Sequence, residues 1–95
     1  MAVIEIEQGA TLVYAAQAED ENGQPLDLTG HTVDLVDGSG NPTSVASIAD
    51  LDLAAGTFTI RSAYDASRRS FAFHVRLIQP NGDTIIWPQI RVFYK

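Results

Sequence analysis

Apolar and polar residues alternate along most of this chain. The alternation runs through six segments, residues 3–8, 11–19, 31–37, 56–62, 70–79 and 84–94. A period of two is typical of strands that bury one face and leave the other to solvent or to a partner. In the segment 70–79, for example, Phe71, Phe73, Val75 and Leu77 fall on one face. The pattern predicts an all-β protein built from half-buried antiparallel strands.

Turn residues separate the alternating segments. Asn22-Gly23 and Asn81-Gly82 each stand between two runs. This dipeptide indicates a hairpin with a type I′ turn, because that turn needs positive φ at both central residues. Residues 37–42 form a glycine-rich loop, and residues 62–70 break the alternation, so we expect a helical turn there that crosses between sheets. About seven short strands with frequent turns predict a β-sandwich.

A proline interrupts the last alternating segment. Because Pro88 has no N–H to donate to a ladder, we expect a last strand that is kinked there and lies at a sheet edge. Uninterrupted alternation divides the apolar residues of this segment between two faces, with Ile85, Trp87 and Phe93 on one and Ile86, Ile90 and Val92 on the other. One face belongs to the core. The other, if nothing covers it, is an apolar stripe of the kind that marks protein contacts.

The length of the chain limits what it can do. Its 95 residues allow a single β-sandwich domain, residues 1–95, with one modest core. A deep catalytic cleft is costly at this size, and an enzyme is not expected. There is no cysteine, so disulfides and thiolate chemistry are excluded. The start of the chain, MAVIEIEQ, has acids where a secretory signal needs basic residues, so we expect synthesis in the cytoplasm without an export signal.

The formal net charge is −6, from twelve acidic and six basic residues. Nucleic acid is a poor partner for such a chain, because phosphate binding needs clustered lysine and arginine. An anionic membrane surface is disfavoured for the same reason. The charge is suited to keeping a small domain soluble or to docking on a basic protein surface.

The residues that usually carry chemistry form no recognisable site. Neither His31 nor His74 has a nucleophile or acid at a suitable spacing. The loop that begins at Asp37 has Ile48 where a calcium-binding EF-hand loop needs its terminal acid. Asp50 and Asp52 are two carboxylates, but a pair of acids alone does not make a glycosidase. We therefore predict no catalytic residue, no metal site and no cofactor.

Residues 20–35, DENGQPLDLTGHTVDL, carry a family resemblance. They combine a D-x-x-G-x-P turn and an LTG turn ahead of a strand, with matches at Asp20, Gly23, Pro25, Leu28, Thr29 and Gly30. This order resembles the immunoglobulin-like N-terminal domain of phage baseplate upper proteins and related small domains of tailed-phage virions. The segments AAGTFTI and FAFHVRLIQPNGD are similar to that family's central and aromatic strands. The resemblance covers roughly residues 9 to 94 and departs from the family at Arg68, Arg69 and Ser70, where the family often has a glycine.

The resemblance implies a fold, a function and a location. The fold is an immunoglobulin-like antiparallel β-sandwich of about seven strands. The function is that of a structural virion protein of a tailed phage or phage-like particle, serving as a head decoration, neck, tail or baseplate accessory in the virion. Such a part works through contacts with other virion proteins, in several symmetric copies or as a homo-oligomer.

Two sets of residues are candidates for binding. For protein contacts, arginine and aromatic residues are favoured because they are enriched at interface hot spots, and the candidates are Arg68, Arg69, Trp87, Phe93 and Tyr94. The terminal segments VIEIE and RVFYK are candidates for extending a sheet into a neighbouring subunit. The alternative function is a host-surface glycan-binding module on the same fold, with Tyr14, Tyr64 and Trp87 as the aromatic candidates.

Overall fold

The computed structural model describes residues 2–95, which form eight β-strands and no helix. The strands are β1 (Ala2–Ile6), β2 (Leu12–Gln17), β3 (Thr32–Val36), β4 (Ser47–Asp52), β5 (Thr57–Ser62), β6 (Ser70–Ile78), β7 (Thr84–Ile86) and β8 (Ile90–Tyr94). The predicted all-β class is confirmed. Strand β4 was not among the alternating segments, and the last segment divides into β7 and β8.

The strands form two sheets. The larger is a five-stranded mixed sheet with the order β1-β8-β6-β3, in which β7 also pairs with β6. The smaller is an antiparallel sheet with the order β2-β5-β4. Every pairing is antiparallel except that of β1 with β8, which is parallel. The prediction of a purely antiparallel arrangement is therefore wrong at β1. This first strand pairs with the last strand of the chain, and the two run in the same direction.

The inner faces of the two sheets share one hydrophobic core. The small sheet contributes Leu12, Phe58 and Ile60, and the large sheet contributes Leu35, Phe71, Phe73, Val75, Leu77, Ile90, Val92 and Tyr94. The alternation seen in the sequence places these side chains inward, and the residues between them on β6 are only half-buried. The arrangement is sandwich-like, with β6 at its centre.

A β-bulge interrupts the last run of the large sheet. Ile86 pairs with Arg76 and Ile90 pairs with Phe73, so residues 87–89 oppose only residues 74 and 75. The extra residue reverses the alternation. Trp87 packs against the core before the bulge, whereas Ile90 is buried after it.

The bulge corrects two predictions about this run. The strand is kinked at Pro88, as predicted, but β8 lies inside the sheet between β1 and β6, and only β7 is at an edge. The prediction of two uninterrupted faces is also wrong. Ile86 lies on the outer face with Arg76, whereas Ile90 faces inward, and Trp87 does not share a face with Phe93. Trp87 and Phe93 would both lie on the outer face only if the alternation were continuous from one to the other. The extra residue of the bulge prevents this.

The Asn-Gly turns have a different geometry from the one predicted. The N–H of Asp20 donates to the carbonyl of Gln24 (2.8 Å) and the N–H of Gly23 donates to Asp20 (3.0 Å). Only the glycine of each Asn-Gly pair has positive φ, so these are three-residue loops that end in a left-handed glycine, and not type I′ turns. The same bonding recurs at residues 37–41 and 79–83.

Residues 25–31 carry the chain from the small sheet to the large one. The N–H of Leu26 donates to Ala18 (2.9 Å) and that of Leu28 donates to Leu53 (2.7 Å). Leu28 is fully buried. Gly56 lies directly beneath this crossing, where any Cβ would overlap the carbonyl oxygen of Leu26. The stretch GQPLDLTGHTVDL is thus a turn, a crossing anchored by the buried Leu28, and the beginning of β3.

The segment between β5 and β6 also crosses between the sheets, but it contains no helical turn. Asp65 accepts hydrogen bonds from the backbone N–H (2.9 Å) and the hydroxyl (2.6 Å) of Ser67. These side-chain bonds act together with a backbone bond from the N–H of Arg68 to the carbonyl of Asp65 (3.3 Å), and they form a single tight turn that does not continue as a helix.

Candidate protein-interaction surfaces

Three of the five candidate contact residues meet in one cleft at the end of the sandwich. Arg68, Arg69 and Tyr94 line it together with Gln8, Tyr64 and Ala66, and its volume is about 360 Å³. The pairing of Ser70 with Phe93 brings the beginning of β6 beside the end of β8. The N–H of Tyr94 donates to the carbonyl of Arg69 (3.0 Å), which fixes the two candidate segments to each other.

Arg68 forms the wall of this cleft. Its guanidinium lies 4.1 Å from the centroid of the Phe71 ring and donates to the hydroxyl of Ser62 (2.9 Å). A longer contact reaches the carbonyl of Val45 (3.4 Å). The stacking and the hydrogen bonds hold the planar group in one orientation. Arg68 is therefore half-buried and anchored, whereas its neighbour Arg69 is exposed.

Two buried polar atoms of the cleft residues lack hydrogen-bond partners within residues 2–95. They are Nε of Arg68 and the hydroxyl of Tyr94. Tyr94 is only 9% exposed, and its ring meets that of Tyr64 edge-on with centroids 4.9 Å apart. Buried donors without partners are uncommon and costly, so these atoms have bonding capacity that the chain itself does not use.

The turn beside the cleft stabilises the ionised form of a carboxyl group. The hydroxyl of Ser67 first, and then its backbone N–H, lower the pKa of Asp65 below its ordinary value. The charge of Arg68 acts in the same direction. Because Asp65 accepts both bonds from Ser67, its charge is directed into the turn, and the arginines remain the charged groups that line the cleft.

Trp87 lies in a separate groove between the edges of β1 and β2. The groove has a volume of about 440 Å³ and is lined by Ala2, Tyr14, Ala15, Ala16, Gln17, Glu19, Trp87, Pro88 and Ile90. The indole is half-buried against Phe58, with ring centroids 5.7 Å apart. Of the three aromatic residues proposed for glycans, the structure brings Tyr14 and Trp87 together, whereas Tyr64 lines the cleft.

Phe93 lies on the outer face of the large sheet. Strand pairing aligns it with Glu5 on β1 and Ser70 on β6, while the next row contains Val3, Arg91 and Ala72. Phe93 and Val3 are exposed, and Arg91 reaches over the Phe93 ring at 5.8 Å. This face mixes apolar and charged groups, and it is distinct from both the cleft and the groove.

Several carboxylates accept hydrogen bonds from other residues of the chain, among them Asp52, which accepts the N–H of Ala55 (3.2 Å). Asp34 forms a two-bond ion pair with Arg76 directly opposite on β6, with Oδ1 at 2.8 Å from Nε. The hydrogen bonds to Asp34 raise the pKa of Arg76 above its ordinary value. Asp37 accepts the N–H groups of Ser39 and Asn41. Residues 2–95 contain no group of three or more potential ligands that could hold a metal ion.

One histidine has a defined structural bond. Nδ1 of His74 lies 2.9 Å from the carbonyl oxygen of Trp87, so it donates there and supports the bulge. His31 is half-buried. Neither histidine lines the cleft or the groove.

The terminal strands differ in what they offer a neighbour. β8 pairs with β1 on one side and β6 on the other, so the proposal that RVFYK extends the sheet is wrong. β1 lies at an edge, as edge pairing of VIEIE requires. The sequence did not indicate the groove between β1 and β2. This groove exists because the two strands lie at the edges of two different sheets, which only the pairing of the strands determines.

Comparison with family models, with curated proteins and with solved structures gave no match to this chain. Within residues 2–95, the structure contains no helix of the length and hydropathy needed to cross a membrane.

Proposed function

We propose that this chain is an immunoglobulin-like structural part of a tailed-phage or phage-like particle, acting through contacts with other virion proteins. The observation that carries the proposal is the cleft in which Arg68, Arg69 and Tyr94 converge. It combines arginine and tyrosine, the residue types most enriched at protein hot spots, with two buried donors that the chain leaves unpaired.

The strand order supports the immunoglobulin-like part of the proposal. In that fold the second, fifth and fourth strands form one sheet, and the third, sixth and seventh form the other. Here β2-β5-β4 and β3-β6-β8 have the same order, if β7 and β8 count as one bulged seventh strand. The first strand joins the last one in parallel, where the constant-type fold pairs it with the second.

Residues 20–30, which carry the family resemblance, shape the connection between β2 and β3. Asp20 accepts the N–H groups of Asn22 (2.9 Å) and Gln24 (3.0 Å). Gly30 has a positive φ, and the Pro80 side chain lies 3.0 Å from where a Cβ on this residue would stand. Leu28 anchors the crossing between the sheets. The resemblance thus rests on residues that shape the connection from β2 to β3, which supports a shared fold.

The chemistry of the cleft favours an acidic segment of a neighbouring protein. Arg69 is exposed and can form paired hydrogen bonds with a carboxylate. Tyr64 and Tyr94 supply rigid aromatic contact area beside it. The chain as a whole carries a formal charge of −6, so an acidic segment is attracted only where arginines are concentrated, as they are in this cleft. Binding of such a segment is expected to weaken as the salt concentration rises.

The test begins with particles produced by the strain that encodes the chain. Mass spectrometry of purified particles is expected to detect it, and the isolated domain is expected to co-sediment with particles that lack it. Arg69→Glu should reduce binding at least about tenfold, because it reverses a charge at a hot spot. Arg61→Glu, an exposed change on β5 away from the cleft, is the control. Absence from the particles, or equal binding by both variants, contradicts the proposal.

A second candidate function is glycan binding in the groove. It is favoured by the meeting of Tyr14 and Trp87 beside the polar groups of Gln17 and Glu19. Trp87 is the only tryptophan, so a sugar bound there should change the protein's tryptophan fluorescence. Binding on a glycan array that Tyr14→Ala abolishes would support this function over the structural one, and an array without binding would reject it.

A further inference from the structure

Four of the sheet edges in residues 2–95 have features that discourage pairing with another chain. On the large sheet, β1 carries Glu5, and β7 has only three residues and precedes Pro88. The free side of β3 is covered where the N–H of Thr43 donates to Leu35 (3.2 Å). On the small sheet, β4 has charged residues and a bulge at Asp50, whose φ is +52°. Charge, bulges, proline, short length and cover are the usual means of protecting an edge.

Strand β2 has none of these features. Its six residues pair with β5 in unbroken register, and no residue from Gln8 to Ala18 is charged. It contains no proline or glycine. Its other side, which faces the groove, is unpaired within residues 2–95. A regular, uncharged edge of this kind is a template for another strand.

The sequence of this edge is complementary to itself. If two copies pair antiparallel about Tyr14, the second copy's Tyr14 lies opposite. Val13 then faces Ala15, Leu12 faces Ala16 and Thr11 faces Gln17. Apolar residues meet apolar residues and polar meets polar, with each side chain on the matching face. The first charged residue beyond the edge, Glu19, falls opposite the uncharged Gly9, so no like charges oppose each other between residues 9 and 19.

From these observations we infer that β2 is a dimerisation edge, where a second copy of this chain adds its own β2 in antiparallel fashion. The two small sheets become one continuous sheet, and the two grooves between β1 and β2 meet at the two-fold axis. Tyr14 and Trp87 of each copy then contribute to a shared apolar layer. The inference rests on the proposed function only in the expectation, drawn from the family resemblance, of several symmetric copies or a homo-oligomer.

The test measures the mass of the purified protein by light scattering on a sizing column over a range of concentrations. Val13 and Val3 are exposed valines on edge strands, at 56% and 53%, and make a matched pair. Val13→Lys is expected to raise the dimer dissociation constant at least about tenfold, because it puts a charge on the pairing edge. Val3→Lys, on β1, should leave the dimer intact.

A wild-type protein that stays monomeric at all concentrations overturns the inference, and so does a dimer that Val3→Lys dissociates and Val13→Lys does not. Neither result bears on docking through the cleft, which particle binding by Arg69→Glu measures separately. If Val13→Lys lowers the melting temperature, a loss of the dimer could reflect unfolding. Hydrogen exchange of the wild-type protein is then the test in place of this variant. The amides of residues 12–17 should then gain protection as concentration rises, and unchanged exchange there overturns the inference.

Discussion

The Trp87 indole packs against the Phe58 ring with centroids 5.7 Å apart, and this contact joins the bulge of the large sheet to the middle of the small one. Phe58 lies on β5, the central strand of its sheet, and is almost fully buried. Trp87 faces inward because it precedes the extra residue of the bulge. A residue proposed for contacts with other proteins therefore also covers the core.

Trp87→Ala is expected to lower the free energy of unfolding by about 2–4 kcal/mol, because it removes a large side chain that covers Phe58. Phe93→Ala is the control, since Phe93 is exposed on the outer face, and it should cost less than about 1 kcal/mol. Urea unfolding followed by circular dichroism measures both. Equal effects of the two changes would contradict the inward position of the indole.

Gly56→Ala is expected to destabilise the domain by more than about 3 kcal/mol or to prevent folding. The new methyl group would overlap the backbone of Leu26, and Gly56 also has a φ of +70°. Gly9→Ala separates these two effects, because Gly9 has a φ of +88° but nothing within 4 Å of the added atom. It should cost only about 1–2 kcal/mol. Thermal melting of both variants checks the difference, and similar losses would show that the crossing does not press on Gly56.

The carboxyls of Asp27 and Asp65 are expected to titrate below the ordinary aspartate value of 3.8. In each case the largest cause is the hydroxyl of the residue two positions later, Thr29 or Ser67. A depressed pKa in the folded state stabilises the protein above the unfolded-state value. That contribution is lost as the pH falls below about 4 and through the folded-state pKa.

NMR titration of the side-chain carboxyl carbons measures these two pKa values. Ser67→Ala should raise the pKa of Asp65 towards its ordinary value and leave that of Asp27 unchanged, and Thr29→Ala should do the reverse. Each variant is thus the control for the other. Unshifted values in the wild type, or one variant moving both carboxyls, would show that the turns do not hold these groups as described.

The candidate cleft was predictable only in its residue types. Arginine and aromatic side chains at 68, 69 and 94 suit an interface, but the chain separates them by about a quarter of its length. They meet because Ser70 pairs with Phe93. The anchoring of Arg68 on Phe71 and Ser62 likewise depends on how the segment 63–69 crosses between the sheets, which its composition does not specify.

The alternation of the sequence by itself determined the all-β class, the inward row of Phe71, Phe73, Val75 and Leu77, and the positions of the hairpin turns. These features follow from local rules, since a strand has a period of two and glycine tolerates positive φ. Only the tertiary structure decided the parallel pairing of β1 with β8, the bulge that turns Trp87 inward, and the exposed edge of β2. Each of these features depends on the register of a strand with a partner that is distant in sequence. One extra residue moves every side chain that follows to the opposite face of the sheet.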